Sequence, residues 1–396
     1  MSSPSPETRG KSNILQKGRE GKGQNGAVAS LVRGRRTACY VAVMRARDLG
    51  IAIGDAPAGP HNAITDVARV RVGHATLIYG EDVRTGVTVI LPHEANPARD
   101  PMFAGCHRIN GNGELTGLEW VRDSGLLTSP VAITNTFSVG VVRDTLISTG
   151  LTHGLPVVGE TFDGTLNDIE GMHVKPEHIH HAVATAADGR VAEGNVGGGT
   201  GMVCHEFKGG VGTASRVVDD SVGGYTVGVL VQANHGRRHR LRVDGLPVGE
   251  LVDETRVPPP PEPAGGSSII IVAATDAPLL PHQCERLARR AGFGVARTGG
   301  VGEHSSGDLV IAFATGNRGL GARADGTAPS VTVDVRMLVD DHINALYDAV
   351  IEATEEAILN ALLAAETMTG RGGTTVHALE PAALSEALAE LGRPMG

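Results

Sequence analysis

The chain has 396 residues, enough for one large or two ordinary domains and for a sizeable core. A formal net charge of −9 and an isoelectric point near 6.0 disfavour nucleic acid or an anionic membrane as a partner. Aromatic residues make up only 3% beside 55 glycines, so the core must come from Val, Ile, Leu and Ala in closely approaching α/β layers.

Residues 1–45 are polar and basic, with Arg9, Lys11, Lys17, Arg19, Arg33, Arg35 and Arg36 among Ser, Gly and Gln. They read as a disordered extension or a mis-assigned start ahead of Met44, with order expected from about Asp48. Residues 64–67 and 70–74 read as a first strand and 86–91 as a second, with a turn at 79–82. His74, a lone strand histidine, is expected to be packed and hydrogen-bonded. A glycine-rich loop at 105–117 leads to a short helix near 118–121, then a buried strand at 131–136 and a helix at 139–148.

Residues 157–164 read as strand, then loop. Glu160 and Asp163, with Asp168 nearby, make a concentrated acidic loop, as turn formers or as a carboxylate pocket for a substrate ammonium. His173, His178, His180 and His181 follow without metal-ligand spacing. The glycines of 194–201 fit neither nucleotide template: Met202 and Cys204 stand where GxGxxG needs glycine, and no Lys-Ser/Thr follows Gly199. Tight turns and close strand approach are their expected role. The stretch 207–216 reads as loop-rich, and 225–231 as a strand running into Gln232-Ala233-Asn234-His235-Gly236. The Asn234 amide could donate to an oxyanion or cap a turn.

Pro258 to Pro261 and Pro263 then form the exposed polyproline-type part of a linker over 246–267. Gly265 and Gly266 deliver Ser267-Ser268 to the head of an apolar, β-branched strand, 269–275. A flexible linker ending at a hydroxyl on a rigid strand suits a self-cleaving hydrolase. The serine attacks the preceding carbonyl, the ester hydrolyses, and the freed α-amine, with a reference pKa of about 7.7–8.0, serves as general base beside its own hydroxyl. An ordinary linker running into a strand is the competing reading. Beyond it, Pro281 opens a helix with Cys284, Leu287, Ala288 and Ala291 on one face, stopped by Gly292. A polar loop at 302–308 feeds a strand at 309–314, a long helix is expected over 341–368, and a weak one in the tail. The four cysteines, Cys39, Cys106, Cys204 and Cys284, form no CxxC pair, and no apolar run or leader marks a membrane span or export signal. A reducing compartment, the cytoplasm, is the simplest location.

Taken in order, Asn62-Ala63-Ile64-Thr65-Asp66-Val67, Val72-Gly73-His74, Asn135-Thr136, Gly159-Glu160-Thr161, Gly199-Thr200-Gly201-Met202, Gly212-Thr213-Ala214-Ser215-Arg216, Val231-Gln232-Ala233-Asn234 and Ser305-Ser306-Gly307-Asp308 form a specific set. With them the chain resembles the L-aminopeptidase/D-amidase–D-esterase family, which includes the β-peptidyl aminopeptidases. The resemblance covers roughly residues 46–375.

It implies an α-β-β-α sandwich similar to N-terminal-nucleophile hydrolases but differently connected. It implies self-cleavage between Ser267 and Ser268 into a larger part, 46–267, and a smaller part, 268–396, usually assembled as a homotetramer, with no metal or other cofactor. The family nucleophile precedes the Ile-Ile strand, which places it on Ser268. The family's second serine and acid then fall on Ser306 and Asp308, whereas counting from Ser267 puts Gly307 in the acid position. Asn234 matches the site asparagine. Glu160, Phe162, Asp163 and Asn135 fall in the substrate-binding region, with Phe162 where the family carries a tyrosine. The implied activity is release of N-terminal residues from small peptides, amides or esters, D- or β-amino acids included. A self-cleaving acyltransferase and a weakened binding scaffold are the alternatives.

Overall fold

The computed structural model describes residues 44–152, 154–260, 267–321 and 331–393. The strands are β1 (Arg71–Tyr79), β2 (Val83–Leu91), β3 (Met102–Gly111), β4 (Leu126–Leu127), β5 (Val131–Asn135), β6 (Val157–Thr161), β7 (Val203–Cys204), β8 (Phe207–Lys208), β9 (Gly210–Val217), β10 (Thr226–Asn234), β11 (Ser267–Thr275) and β12 (Ser306–Ala314). One sheet runs β1-β2-β5-β6 and the other β4-β3-β12-β11-β10-β9, while β7 and β8 form a separate hairpin. Most neighbours are antiparallel, but β5–β6 and β11–β12 are parallel. Helix α1 (Leu118–Ser124) follows β3, and the two parallel pairs are joined across helices α2 (Val139–Ser148) and α4 (Pro281–Arg297), as parallel crossovers require.

Both faces of each sheet are covered, so several central strands read as unbroken apolar runs rather than alternating ones. Between the sheets, Ile90, Ile133 and Val157 meet Leu230, Ile270, Val272, Ile311 and Phe313. Outside the smaller sheet, Val142 and Leu146 of α2, with Ile179 and Ala182 of α3 (Pro176–Thr185), cover Val87, Val89 and Val158. Outside the larger sheet, α4 and α5 (Asn344–Leu363) lay Leu287, Ala291, Ile358 and Leu362 over Val229, Val231, Ile271 and Val310. This is the expected α-β-β-α sandwich.

Several local expectations are corrected, mostly where glycine serves packing rather than a turn. The loop expected from Gly105 begins inside β3, where a Cβ on Gly105 would lie 2.2 Å from the Glu285 nitrogen of α4. The stretch expected to be loop-rich is largely β9, and a Cβ on Gly212 would lie 2.0 Å from the Ala357 carbonyl oxygen of α5. Gly292 does not stop α4, which continues to Arg297, and the long helix is confined to Asn344–Leu363. Ile64–Asp66 is a 3-10 turn rather than strand, and His178, His180 and His181 lie on α3.

The linker is also more structured than its prolines suggest. Val248, Val252 and Val257 are buried, and Arg238 donates to the carbonyls of Asp253 and Val257 while lying over the Phe207 ring. Pro258 is exposed but Pro260 is buried, and 261–266 lie outside the described residues. So do 1–43 of the expected extension. Arg45, however, is tied down by Glu193 at 2.8 Å, so order begins earlier than Asp48.

Candidate active site

The site grows from strand register. Asn234 on β10 stands opposite Ser268 on β11, and Ser268 opposite Gly307 on β12. On the same pair of strands, Ser267 is level with Ser306 and Ile269 with Asp308. Side chains alternate along a strand, so Ser268 shares the inter-sheet side with Ile270 and Val272. Ser267 shares the helix side with Ile269 and Ile271, and register puts Ser306 and Asp308 on that side too.

Ser306 Oγ donates to Asp308 Oδ1 at 2.6 Å and lies 3.3 Å from Ser267 Oγ. Burial pushes the Asp308 carboxyl up to about 6, against hydrogen bonds from Ser306 and the Ile269 backbone N–H. Ser268 Oγ donates to the Ser267 carbonyl oxygen at 2.7 Å. Ser268, Ser306, Asp308 and Asn234 are each no more than 4% exposed, so the uncut chain keeps them from bulk water.

Asn234 is held at both ends of its amide. Oδ1 accepts from the Val203 N–H at 2.7 Å, and Nδ2 donates to the Phe162 carbonyl at 3.1 Å. Phe162 therefore reaches the site through its main chain, whatever its ring carries. That link was invisible in the sequence because backbone groups leave no residue signature.

The acidic loop separates in space. Glu160 accepts from the Glu114 N–H at 3.0 Å and from the Thr136 hydroxyl, and burial raises its pKa. A Cβ on Gly113 would lie 3.2 Å from Glu160 Oε1 and 2.9 Å from the Gly307 Cα, so this carboxylate borders the strand residue opposite Ser268. Asp163 is wholly enclosed instead, accepting from Asn135 Nδ2 at 3.0 Å and Asn167 Nδ2 at 3.1 Å, with burial pushing it up to about 6. Asn135 also donates to Thr85. Asp163 and Asn135 thus stand behind the site and hold its loop. Asp168 is elsewhere, 3.0 Å from His173. His74 bonds to Thr88 at 3.0 Å, as expected of a packed strand histidine.

The sequence pattern of peptidase family S58 matches residues 62–376. The chain belongs to peptidase family S58. The beta-peptidyl aminopeptidase BapA of Sphingosinicella microcystinivorans is 47% identical over 367 residues, 86% of this chain and 90% of that protein. Among solved structures, the Burkholderia sp. beta-aminopeptidase superposes with a TM-score of 0.83 at 55% identity, covering 88% of this chain and 99% of that one. The L-aminopeptidase D-Ala-esterase/amidase of Ochrobactrum anthropi, described as a prototype for the serine aminopeptidases and a new variant among the Ntn hydrolase fold, gives 0.78 at 42% identity, covering 88% and 99%. This S58 member is an aminopeptidase of the serine-nucleophile class, as its motifs implied.

Proposed function

We propose that this S58 aminopeptidase matures by cutting itself between Ser267 and Ser268 and then removes N-terminal residues, β-amino acids included, from small peptides, amides or esters. The observation that carries the reading is the Ser268 hydroxyl, 2.7 Å from the carbonyl oxygen of the bond to be cut, at the head of a strand whose register partners are Asn234 and Gly307. The Ser268 oxygen attacks the Ser267 carbonyl carbon, the C–N bond breaks to leave an ester, and water hydrolyses it. The products are a Ser267 carboxylate and a Ser268 α-amine.

In turnover the Ser268 hydroxyl attacks the substrate's first carbonyl and its own amine takes the proton. Asn234 holds the oxyanion. Ser306, oriented by Asp308, loses its Ser267 neighbour on cleavage and turns to the new amine. Glu160 receives the substrate ammonium, with Phe162, Asp163 and Asn135 shaping the loop beside it. The acyl-enzyme then passes to water.

A second reading takes Ser267 as nucleophile, because its hydroxyl, not that of Ser268, is the one near Ser306. Intact mass with sequencing of the new N-terminus separates the two. A chain beginning Ser268-Ile269-Ile270, and an uncut Ser268→Ala variant, support the proposal; a chain beginning at Ser267 favours the second reading. Adding an amine acceptor to the assay distinguishes hydrolysis from acyl transfer, and an uncut, inactive protein would leave the scaffold reading.

The active form is proposed to be a homotetramer of cleaved pairs. Supporting this, Val331, Val333, Val335, Met337 and Val339 are exposed apolar side chains at every second position of one short segment, an unusual surface for a monomer. A cytoplasmic location agrees with the unpaired thiols of Cys106, Cys204 and Cys284. Among the described residues no helix is long and apolar enough to cross a membrane.

A further inference from the structure

We propose that Cys204, His205 and His235 form a site for a borderline-soft divalent transition-metal ion, zinc above all, which locks the β7–β8 hairpin to the end of β10. Cys204 and His205 lie on the hairpin, and His235 directly follows β10. One ligand atom from each falls within a 4.8 Å set, and the Cys204 sulfur is 3.9 Å from His235 Nδ1. All three residues are buried.

The hydrogen bonding points the same way. His205 Nδ1 lies 3.1 Å from the Arg237 carbonyl, which can only accept, so the ring proton sits on Nδ1 and Nε2 keeps its lone pair. Metal-bound histidines are oriented by the same kind of contact. His205 Nε2, the nitrogen left free to ligate, has no hydrogen-bond partner among the described residues, which is costly for a buried polar atom.

The backbone is shaped for this cluster at some cost. His205 and Glu206 have φ of 49° and 64°, a turn that ordinarily takes Asn-Gly. The His205 N–H already donates to the His235 carbonyl at 2.7 Å, so the two segments are in register. Tetrahedral zinc, with bonds of about 2.0–2.3 Å, needs ligand atoms roughly 3.3–3.8 Å apart, so a side-chain adjustment of about 1 Å closes the set. The ion would bind the Cys204 thiolate and both imidazoles with water in the fourth position, and the thiol proton would leave to solvent. Asn234 and Val203, bonded to each other at 2.7 Å, are the immediate neighbours of His235 and Cys204. The lock would therefore hold the amide proposed for the oxyanion. It departs from the sequence expectation of a protein without metal.

The full chain, produced in zinc-supplemented medium and dialysed, should retain about one zinc per chain. Replacing zinc by Co²⁺ should give a thiolate-to-cobalt charge-transfer band that survives Cys106→Ser and Cys284→Ser but vanishes in Cys204→Ser. His235→Gln should lose most of the bound metal. Metal well below one equivalent in the unmutated protein, or a cobalt spectrum lacking the thiolate band, overturns the proposal even if Cys204→Ser does not fold. Equal metal retention by a folded Cys204→Ser variant overturns it as well.

Discussion

Ser306 Oγ lies 3.3 Å from Ser267 Oγ, although the spacing of the motif assigns the nucleophile to the next residue, Ser268. Alternation along β11 sends the two serines to opposite sides of the sheet, so only one can face the Ser306–Asp308 pair in the uncut chain. Removing the Ser267 hydroxyl separates the two roles. Ser267→Ala is expected to cleave still, with Ser268 as the new N-terminus, whereas Ser306→Ala should slow both cleavage and turnover by on the order of 10²-fold. Intact mass against time measures the first and kcat/KM the second. Failure of Ser267→Ala to cleave would move the nucleophile.

The pH profile follows from two groups. A free α-amine acting as base must be neutral, so log kcat/KM should fall with unit slope below roughly pH 7.7–8.0. The Asp308 carboxyl, raised to about 6 by burial, becomes protonated as pH drops through that value and no longer accepts from Ser306. The slope should steepen there. In Asp308→Asn the rate should be lower throughout and the steepening absent; a break that persists in this variant belongs to another group.

Phe162 stands where a tyrosine was expected, but it engages Asn234 through its carbonyl at 3.1 Å. Phe162→Tyr leaves that bond intact and adds a hydroxyl. If the added group reaches the oxyanion, kcat should rise by roughly 10- to 10²-fold, within the range of a single oxyanion donor. Steady-state kinetics on a β-amino acid amide give the answer, and an unchanged kcat means the ring points elsewhere.

Arg216 is fully buried on β9, with Nε 3.1 Å from Glu352 and Nη2 2.6 Å from Glu356, and a further bond to the Ile53 carbonyl. Glu356 also meets Arg47 at 2.9 Å. Removing one partner strands buried charge, so Arg216→Ala should cost about 3–5 kcal/mol. Denaturant unfolding of the purified protein measures it. A loss below about 1 kcal/mol would put the network in the class of weak surface pairs.

The row Val331, Val333, Val335, Met337 and Val339 is exposed at every position. Val333→Glu with Met337→Glu should shift the assembly to a smaller species without unfolding it, since neither side chain supports the core. Light scattering after size exclusion reports the mass. An unchanged mass means that this row makes no contact between chains.

Periodicity and motif order alone determined much about this protein. The Ile269–Thr275 run reads as a covered strand, because a short, bounded run rich in β-branched residues favours strand over buried helix, and the ordered blocks implied both the family and the layered fold. The family resemblance also grouped Ser268, Ser306, Asp308 and Asn234; the register of three strands sets their backbones side by side but turns Ser268 to the opposite side of the sheet from Ser306 and Asp308. What sequence could not decide is where glycine means turn and where it means contact. Gly105 and Gly212 look like loop residues, yet they sit in strands because a helix backbone passes too close for any Cβ. Nor could it tell Glu160, beside Gly307, from Asp163, sealed behind Asn135, since burial depends on what packs from distant parts of the chain. Cys204 and His235 lie 31 residues apart, and their meeting rests on a hairpin folded against a strand end, a relationship only the tertiary structure creates.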